Sequence, residues 1–168
     1  MPLITLLLLS SFTLVEPKDI TISLDYPTES VTLNELELTA TSSLEAVIEQ
    51  LGNYDRVKVE EGFSNYFFDE YGLMLIINKK SETLHGLMIQ LSNQYNEFST
   101  TADFSGKLYV NTKKVNQFKG MSFMERLIKD ITPRETNGYK LTGSPVKLKV
   151  DCLYKPGGNL QLVFVNFL

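Results

Sequence analysis

Two residues in this sequence, His85 and Cys152, carry side chains that often act as a catalytic base or nucleophile, and each type occurs once. A Cys-His or Ser-His catalytic pair would therefore require His85. An internal disulfide is impossible, and a Cys/His zinc site lacks ligands. Both residues occur in strand-like segments, which favours a half-buried structural role for His85 and a small packing role for Cys152.

The remaining acid–base candidates are carboxylates, which occur as adjacent pairs at Glu60-Glu61 and Asp69-Glu70. Adjacent residues on a strand point to opposite faces, so neither pair can place two carboxyl groups around one scissile bond. Gly157-Gly158 lacks the Lys-Ser/Thr sequence of a phosphate-binding loop and is typical of a hairpin turn. The sequence therefore predicts a protein with no enzymatic activity, no metal site and no cofactor.

The composition is that of a globular protein with a hydrophobic core. The chain has 168 residues, of which 43% are hydrophobic and 21% charged. That length fits one domain or two small halves packed together. Sixteen basic and twenty acidic residues give a net charge of −4, which does not favour binding to nucleic acid or to an anionic membrane.

The segment from Met1 to Val15 has no charged side chain and contains an apolar run from Leu3 to Leu9. The run is shorter than a membrane span and has the length of the hydrophobic region of a signal peptide. We therefore expect residues 1–18 to be a signal peptide and linker, and the protein to be exported to the periplasm without a membrane span. No Lys or Arg precedes the run, so the alternative is a buried first strand of a cytoplasmic protein.

Residues 19–100 predict short strands around one helix. Alternating apolar residues predict a hairpin with its turn at Tyr26-Pro27. The apolar period becomes helical over residues 41–52, with a capping-box pattern at Ser42 and Glu45. Further strands are expected at Val57–Glu60, Tyr66–Asp69, Leu73–Asn78 and Leu84–Leu91.

Residues 101–168 repeat that order. A strand is expected at Lys107–Asn111. Ser122 and Glu125 form a second capping-box pattern, and the helical apolar stripe that follows runs to Ile131. The last strands are expected at Tyr139–Thr142, Val146–Tyr154 and Leu160–Phe167.

The two halves share one order of elements: a strand, a turn at Asn34 or Asn111, a second strand, a helix and a meander. This repetition predicts an α+β fold of two similar halves, residues 19–100 and 101–168, each a short helix packed on an antiparallel β-meander. We interpret the repetition as an internal duplication whose halves pack as one globular unit. The alternative is that two α+β halves share the same short-range pattern.

Aromatic residues are concentrated between Phe63 and Tyr71. On a strand, Tyr66 and Phe68 point to one face and Phe67 to the other, so one face either carries a second packed layer or is exposed. An exposed face rich in aromatic and acidic side chains suits a protein interface. The candidate interface residues are Glu60, Glu61, Asp69, Glu70 and Tyr71.

Four segments of the chain carry a family pattern: Val31–Asn34, Ile48–Arg56, Phe68–Leu73 and Phe104–Asn111. Together they resemble a bacterial domain of unknown function over roughly residues 20–168. The pattern of that family combines Leu-Gly-x-x-x-Arg, Tyr-Asp-x-x-Gly-Leu and Phe-x-Gly-x-Leu-x-Val-Asn motifs. Phe68 stands where the family has Tyr, and Thr112 follows Asn111 where the family has Gly.

The resemblance implies a small envelope or cytosolic protein, and some members of the family are similar to immunity proteins that neutralise secreted antibacterial toxins. The family offers no catalytic residue to carry over to this sequence. Immunity proteins often occlude a toxin active site, and an acidic chain suits a basic cleft. We therefore expect a non-enzymatic protein-binding module whose partner is a cognate toxin. The alternatives are an exported envelope accessory or ligand-binding protein, and a cryptic hydrolase that uses His85 or a carboxylate.

Overall fold

A computed structural model describes residues 19–92, 98–128, 132–136, 138–143 and 147–168. The predicted signal peptide and linker, residues 1–18, lie outside these residues. The fold is mostly β, with two sheets and two short helices, α1 (Leu44–Leu51) and α2 (Met121–Leu127). The strands are β1 (Thr21–Asp25), β2 (Ser30–Leu33), β3 (Leu36–Leu38), β4 (Arg56–Val59), β5 (Phe63–Phe68), β6 (Leu73–Asn78), β7 (Thr83–Gln90), β8 (Lys107–Val110), β9 (Lys113–Val115), β10 (Thr132–Thr136), β11 (Gly138–Gly143), β12 (Leu148–Tyr154) and β13 (Leu160–Phe167).

The smaller sheet has five strands in the order β3-β2-β1-β8-β9. The hairpin predicted at Tyr26-Pro27 is confirmed, since β1 and β2 pair antiparallel with Leu24 opposite Val31. On its other side β1 pairs parallel with β8. This sheet therefore contains strands from both predicted halves, and it is not a simple antiparallel meander.

The larger sheet has eight strands in the order β10-β11-β12-β13-β7-β6-β5-β4. It consists of two four-stranded antiparallel meanders that join where β7 pairs with β13, with Leu87 opposite Val165. Strand β4 is at one edge of the sheet and β10 is at the other. The strands predicted at Leu73–Asn78 and Leu160–Phe167 have the predicted bounds.

The main core collects apolar side chains from both sheets and both helices. Each helix buries two residues four positions apart, so one side chain lies above the other on the same helix face. These residues are Val47 and Leu51 in α1, and Met124 and Ile128 at the end of α2. The helical stripes predicted from the sequence therefore do face the core.

The helix starts differ from the predicted capping boxes. The cap of α1 is Ser43, whose hydroxyl accepts a hydrogen bond from the N–H of Ala46, whereas Ser42 accepts one from the N–H of Thr39. The cap of α2 is Gly120, and Ser122 lies inside the helix. The predicted end of this stripe, Ile131, lies outside the described residues.

Two asparagine turns hold the ends of β1. The N–H of Asn34 donates to the carbonyl of Thr21, and the Asn34 side chain accepts from the N–H of Thr21 at 2.9 Å. At the other end, the Asn111 side chain accepts from the N–H of Tyr26 at 2.7 Å. Both asparagines have positive φ, 54° and 47°, a conformation that Asn tolerates better than most residues. The turns therefore fix the position of β1 between β2 and β8.

Candidate functional site

The edge of the larger sheet at β4 exposes an apolar strip. Side chains alternate along a strand, so Val57 and Val59 share one face of β4 and Arg56 and Lys58 share the other. Val57 is 43% exposed and Val59 is 62% exposed. Tyr54, just before the strand, is 38% exposed and contacts Tyr66 edge to face, with ring centroids 4.8 Å apart. We call Tyr54, Val57 and Val59 the edge strip.

A groove of about 540 Å³ lies beside the edge strip, between the start of α1 and the turn from β6 to β7. Val57 is paired with Tyr66 and Val59 with Ser64, and both partners line the groove. The strip and the groove are therefore one continuous surface. The groove is lined by Ser43, Leu44, Glu45, Ser64, Tyr66, Ile77, Asn78, Lys79, Ser81, Glu82 and Thr83.

Arg56 and Asp69 hold β4 on the opposite face. The Arg56 guanidinium donates to both carboxylate oxygens of Asp69, at 2.8 and 3.1 Å, and to the carbonyl of Ser99 at 2.7 Å. The central guanidinium carbon of Arg56, Cζ, lies 3.6 Å from the centre of the Phe67 ring. A planar, forked cation suits this combined pairing and stacking, which a lysine could not reproduce.

The aromatic segment has packed layers on both faces. Phe68 is buried in the main core, against which Tyr66 also packs. Phe67 is buried on the outer face in a smaller cluster with Met74 and Met88. The alternation predicted for these aromatic residues is confirmed, and the buried Phe67 and Phe68 contribute no exposed aromatic surface.

The five predicted interface residues lie at opposite ends of β5. Glu60 and Glu61 are exposed in the turn before the strand, whereas Asp69, Glu70 and Tyr71 form a 3-10 helix directly after it. A six-residue strand is about 20 Å long, so these residues form two groups. Glu70 is exposed and Tyr71 is half-buried.

Asp69 differs from the other four because its carboxylate is buried and already engaged. The residue is 8% exposed. Besides Arg56, the carboxylate accepts a hydrogen bond from the N–H of Thr101 at 3.0 Å, and the N–H of Asp69 donates to Asp55 at 2.6 Å. These contacts join β4, β5 and the segment before β8. The interface role predicted for the five residues stays a prediction, and for Asp69 the contacts favour a structural role.

The single His and the single Cys lie in strands, as expected. His85 is half-buried in β7, and its ring lies 4.6 Å from the Phe63 ring. Cys152 is fully buried in β12. Burial, with a smaller contribution from the neighbouring Asp151 charge, raises the pKa of the Cys152 thiol to about 12. A thiol with so high a pKa is a poor nucleophile at neutral pH.

The raised pKa predicts a pH-dependent contribution of Cys152 to stability. In the unfolded chain the thiol ionises near its ordinary pKa of 9.0, whereas the folded state keeps the proton up to about 12. Rising pH therefore favours the unfolded state, and at pH 10 the thiol lowers the free energy of unfolding by about 1 kcal/mol. We expect the stability gap between wild type and Cys152→Ala to change by that amount between pH 7 and pH 10 in urea unfolding. A gap that stays constant with pH would contradict the raised pKa.

Within the described ranges, no three His, Cys, Asp or Glu side chains converge on a metal site. No helix in the described part of the chain is long and apolar enough to cross a membrane. What the surface at β4 does offer is exposed apolar area, a sheet edge and exposed carboxylates. Sequence reasoning placed a strand at Val57–Glu60 and selected Glu60 and Glu61, but it missed the edge strip. The alternation of Val57 and Val59 about Lys58 was the available signal.

The comparisons with known proteins give one match. The model of a family described as a domain of unknown function, DUF7738, matches residues 21–124. No curated protein and no solved structure matches the chain. The match agrees with the predicted resemblance to an uncharacterised domain, whereas the motif pattern and the likeness to toxin-immunity proteins stay predictions.

Proposed function

We propose that this chain, which belongs to the DUF7738 family of domains of unknown function, is a non-enzymatic protein-binding module. One observation carries the proposal: the edge strip exposes large apolar side chains beside exposed carboxylates. Of the five large hydrophobic residues that are exposed in the described part of the chain, three form this strip. Clustered apolar exposure with a polar rim is typical of a protein interaction surface.

The partner that suits this surface is a basic protein. The exposed Asp55 comes just before β4, and the exposed Glu60 and Glu61 come just after it. The whole chain carries a net charge of −4. Complementary charge speeds association and disfavours acidic partners. An immunity protein that covers the basic active-site cleft of a secreted antibacterial toxin is the version that we favour, with the protein exported to the periplasm.

An internal duplication of the fold also belongs to this proposal. In each of three pairs of strands, the two members have equal lengths and begin 77 positions apart in the sequence. The same distance separates Asn34 from Asn111. The two asparagines hold opposite ends of β1, and the two meanders meet through their last strands. These relations support a pseudo-twofold arrangement of two copies of one ancestral unit. The strand pairs are β2 with β8, β3 with β9, and β7 with β13.

The toxin proposal is tested by co-expression with the toxic protein encoded by the neighbouring gene. We expect wild-type protein to rescue growth and to form a complex with the purified toxin. Reversing both charges in Glu60→Lys/Glu61→Lys should weaken the complex at least tenfold, because each lysine would face the basic surface of the toxin. The matched control is Glu125→Lys, which reverses an exposed charge on α2 and should leave affinity unchanged.

Two further variants separate binding from chemistry. His85→Ala and Cys152→Ala should retain the rescue wherever they retain the fold. A folded His85→Ala variant without activity would favour the cryptic hydrolase instead. Wild-type protein that neither rescues growth nor forms a complex would contradict the toxin-binding proposal.

A ligand-binding accessory is the second candidate, and the groove favours it. Its volume of about 540 Å³ is within the range of small-molecule sites. Polar groups from Ser43, Ser64 and Thr83 line it beside the Tyr66 ring. Binding of a small molecule, detected as a rise in thermal stability with ligand, would distinguish this role from a purely protein-binding one.

A further inference from the structure

Strand β4 presents unused backbone hydrogen-bonding groups along the edge strip. The N–H of Glu60 donates to the carbonyl of Phe63. Hydrogen-bonded pairs alternate along an antiparallel ladder, so the backbones of Lys58 and Arg56 face β5 in the same way. The N–H and C=O groups of Val57 and Val59 consequently point away from the sheet. Among the described residues, β4 pairs with β5 alone, so these groups lie along an unpaired edge of the sheet.

Natural edge strands are usually blunted by charge, proline or covering segments. In β4 the only charge between the two valines is that of Lys58, and it is turned to the other face. The Lys58 ammonium lies 3.9 Å from the centre of the Phe98 ring and 3.1 Å from a Glu60 carboxylate oxygen. The valine face of the edge thus stays apolar, exposed and accessible to an added strand.

We propose that β4 binds an extended, basic-ended segment of a partner protein by strand addition, which extends the larger sheet by one strand. This inference rests on the proposed protein-binding function and names its binding mode. Main-chain hydrogen bonds to Val57 and Val59 supply affinity, and side chains at alternate positions supply specificity. Apolar side chains of the added strand lie beside Val57 and Val59, which separate them from the groove.

Charge decides what the rest of the added strand carries. Carboxylates flank both ends of β4, at Asp55 and at Glu60-Glu61, and the charged residues that line the groove are Glu45, Glu82 and Lys79. Asp55 accepts a hydrogen bond from the N–H of Asp69, and Glu60 pairs with Lys58. Within the described residues, no cation lies in salt-bridge range of Glu61, Glu45 or Glu82. The ends of the added strand should therefore be Lys or Arg. Its other face lies beside Arg56 and Lys58, which favours neutral side chains there.

The same charges argue against a second copy of this chain as the occupant. If two β4 strands paired antiparallel through Val57 and Val59, each Lys58 would lie directly opposite the other Lys58. The same register places Arg56 of each copy opposite Glu60 of the other, but these two groups are already paired within their own chain, with Asp69 and with Lys58. Asp55 of one copy would then lie near Glu61 of the other. Like charges directly opposite on paired strands are destabilising. A basic-ended segment of another protein meets neither repulsion.

The test uses the full-length protein and a synthetic peptide, Lys-Lys-Val-Thr-Val-Thr-Val-Lys-Lys, with binding followed by fluorescence anisotropy and by amide hydrogen exchange. In free protein we expect the amides of Val57 and Val59 to exchange much faster than those of Arg56 and Lys58. Saturating peptide should slow the exchange of Val57 and Val59 at least tenfold. A peptide with Glu in place of all four Lys should bind at least tenfold more weakly.

Two controls isolate the backbone contribution. Val59→Pro removes one outward N–H, and proline is tolerated where the N–H of an edge strand faces solvent. It should weaken peptide binding at least tenfold more than Val59→Thr does, because Val59→Thr keeps the N–H and the branched shape and loses only apolar surface. If Val59→Pro fails to fold, a peptide that is N-methylated at alternate residues replaces it, because methylation blocks pairing from the other side.

Three outcomes would overturn strand addition. They are equal binding of the Glu-ended or the N-methylated peptide, no peptide-induced protection at Val57 and Val59, and protection of these amides in the free protein. In the last case, sedimentation identifies a dimer if a second copy covers the edge. A toxin complex that forms equally well with Val59→Pro and Val59→Thr would overturn strand addition and leave the proposed function intact. If wild-type protein binds the peptide but not the toxin, the toxin proposal is overturned and strand addition stands.

Discussion

Replacing Gly72 with alanine should lower the free energy of unfolding by about 2–5 kcal/mol. Gly72 follows the 3-10 helix with φ of 68°, in the left-handed region that a side chain disfavours. A Cβ atom at this position would lie 2.4 Å from the backbone N of Phe104 and 2.6 Å from the carbonyl carbon of Asp103. Backbone atoms cannot rotate away as a side chain would, so the crossing segment must shift.

The segment that would shift is itself held by hydrogen bonds. The N–H of Phe104 donates to the carbonyl of Gln90, and the N–H of Gln90 donates to the carbonyl of Gly72. The Gln90 side chain is buried, and it donates to the carbonyls of Thr100 and Ala102. The alanine therefore adds backbone strain and also disturbs this network.

Gly62→Ala is the matched control, because Gly62 also has positive φ, 82°, but a Cβ atom there would meet no other atom within 4 Å. The strain of the left-handed conformation alone should lower its free energy of unfolding, by about 1–2 kcal/mol. Urea unfolding of both variants measures the difference. Equal losses in the two variants would mean that the crossing of Phe104 over Gly72 contributes nothing to stability.

Much of the strand pattern could be predicted because apolar runs and turn signals are local properties of the sequence. The strand Leu73–Asn78 can be placed with its observed bounds because it is a continuous apolar run, buried on both faces, between turn residues at Tyr71-Gly72 and Lys79-Lys80. The start of α1 could be placed only to within one residue. Ser42 and Ser43 both carry a hydroxyl, and backbone geometry decides which of them accepts from the helix N–H groups.

The arrangement of the strands was much harder to predict, because it depends on pairs that are far apart in sequence. The parallel pairing of Ile22 with Leu108 joins β1 to β8, and no local pattern encodes it. The edge position of β4 is equally non-local. A strand of the same sequence in the middle of the sheet would bury Val57 and Val59 instead of exposing them. The alternation of Val57 and Val59 indicates a shared face, but their exposure follows only from the order of the strands in the sheet.

The candidate site illustrates the same limit at the level of single side chains. The sequence suggested Asp69 and Glu70 as neighbours on one acidic surface. In the fold, a guanidinium 13 positions earlier, that of Arg56, binds Asp69, while Glu70 points to solvent. Sequence proximity thus identified an acidic segment correctly but could not separate a carboxylate that holds the fold from one that is free to bind a partner.

Removing the Asp69 charge should therefore act on stability before it acts on binding. In the wild-type protein, the hydrogen bonds from Arg56 and Thr101 to the Asp69 carboxylate are 2.8 to 3.1 Å long. Asp69→Asn keeps the size of the side chain but places an amide NH₂ group, itself a donor, against one of these donors. Breaking a buried pair by removing one partner costs about 3–5 kcal/mol. The Arg56 side chain is 41% exposed, so water will solvate it partly, and we expect a loss of about 2–3 kcal/mol in urea unfolding.

Glu70→Gln is the matched control, since it makes the same chemical change at the next position on an exposed side chain. It should change stability by no more than about 0.5 kcal/mol. Arg56→Lys tests the other partner: it keeps the charge but loses the forked pairing and the stacking on Phe67, and it should also destabilise the fold. If Asp69→Asn instead kept full stability and weakened the proposed complex with a toxin, Asp69 would be an interface residue, and the structural role argued from its contacts would be wrong.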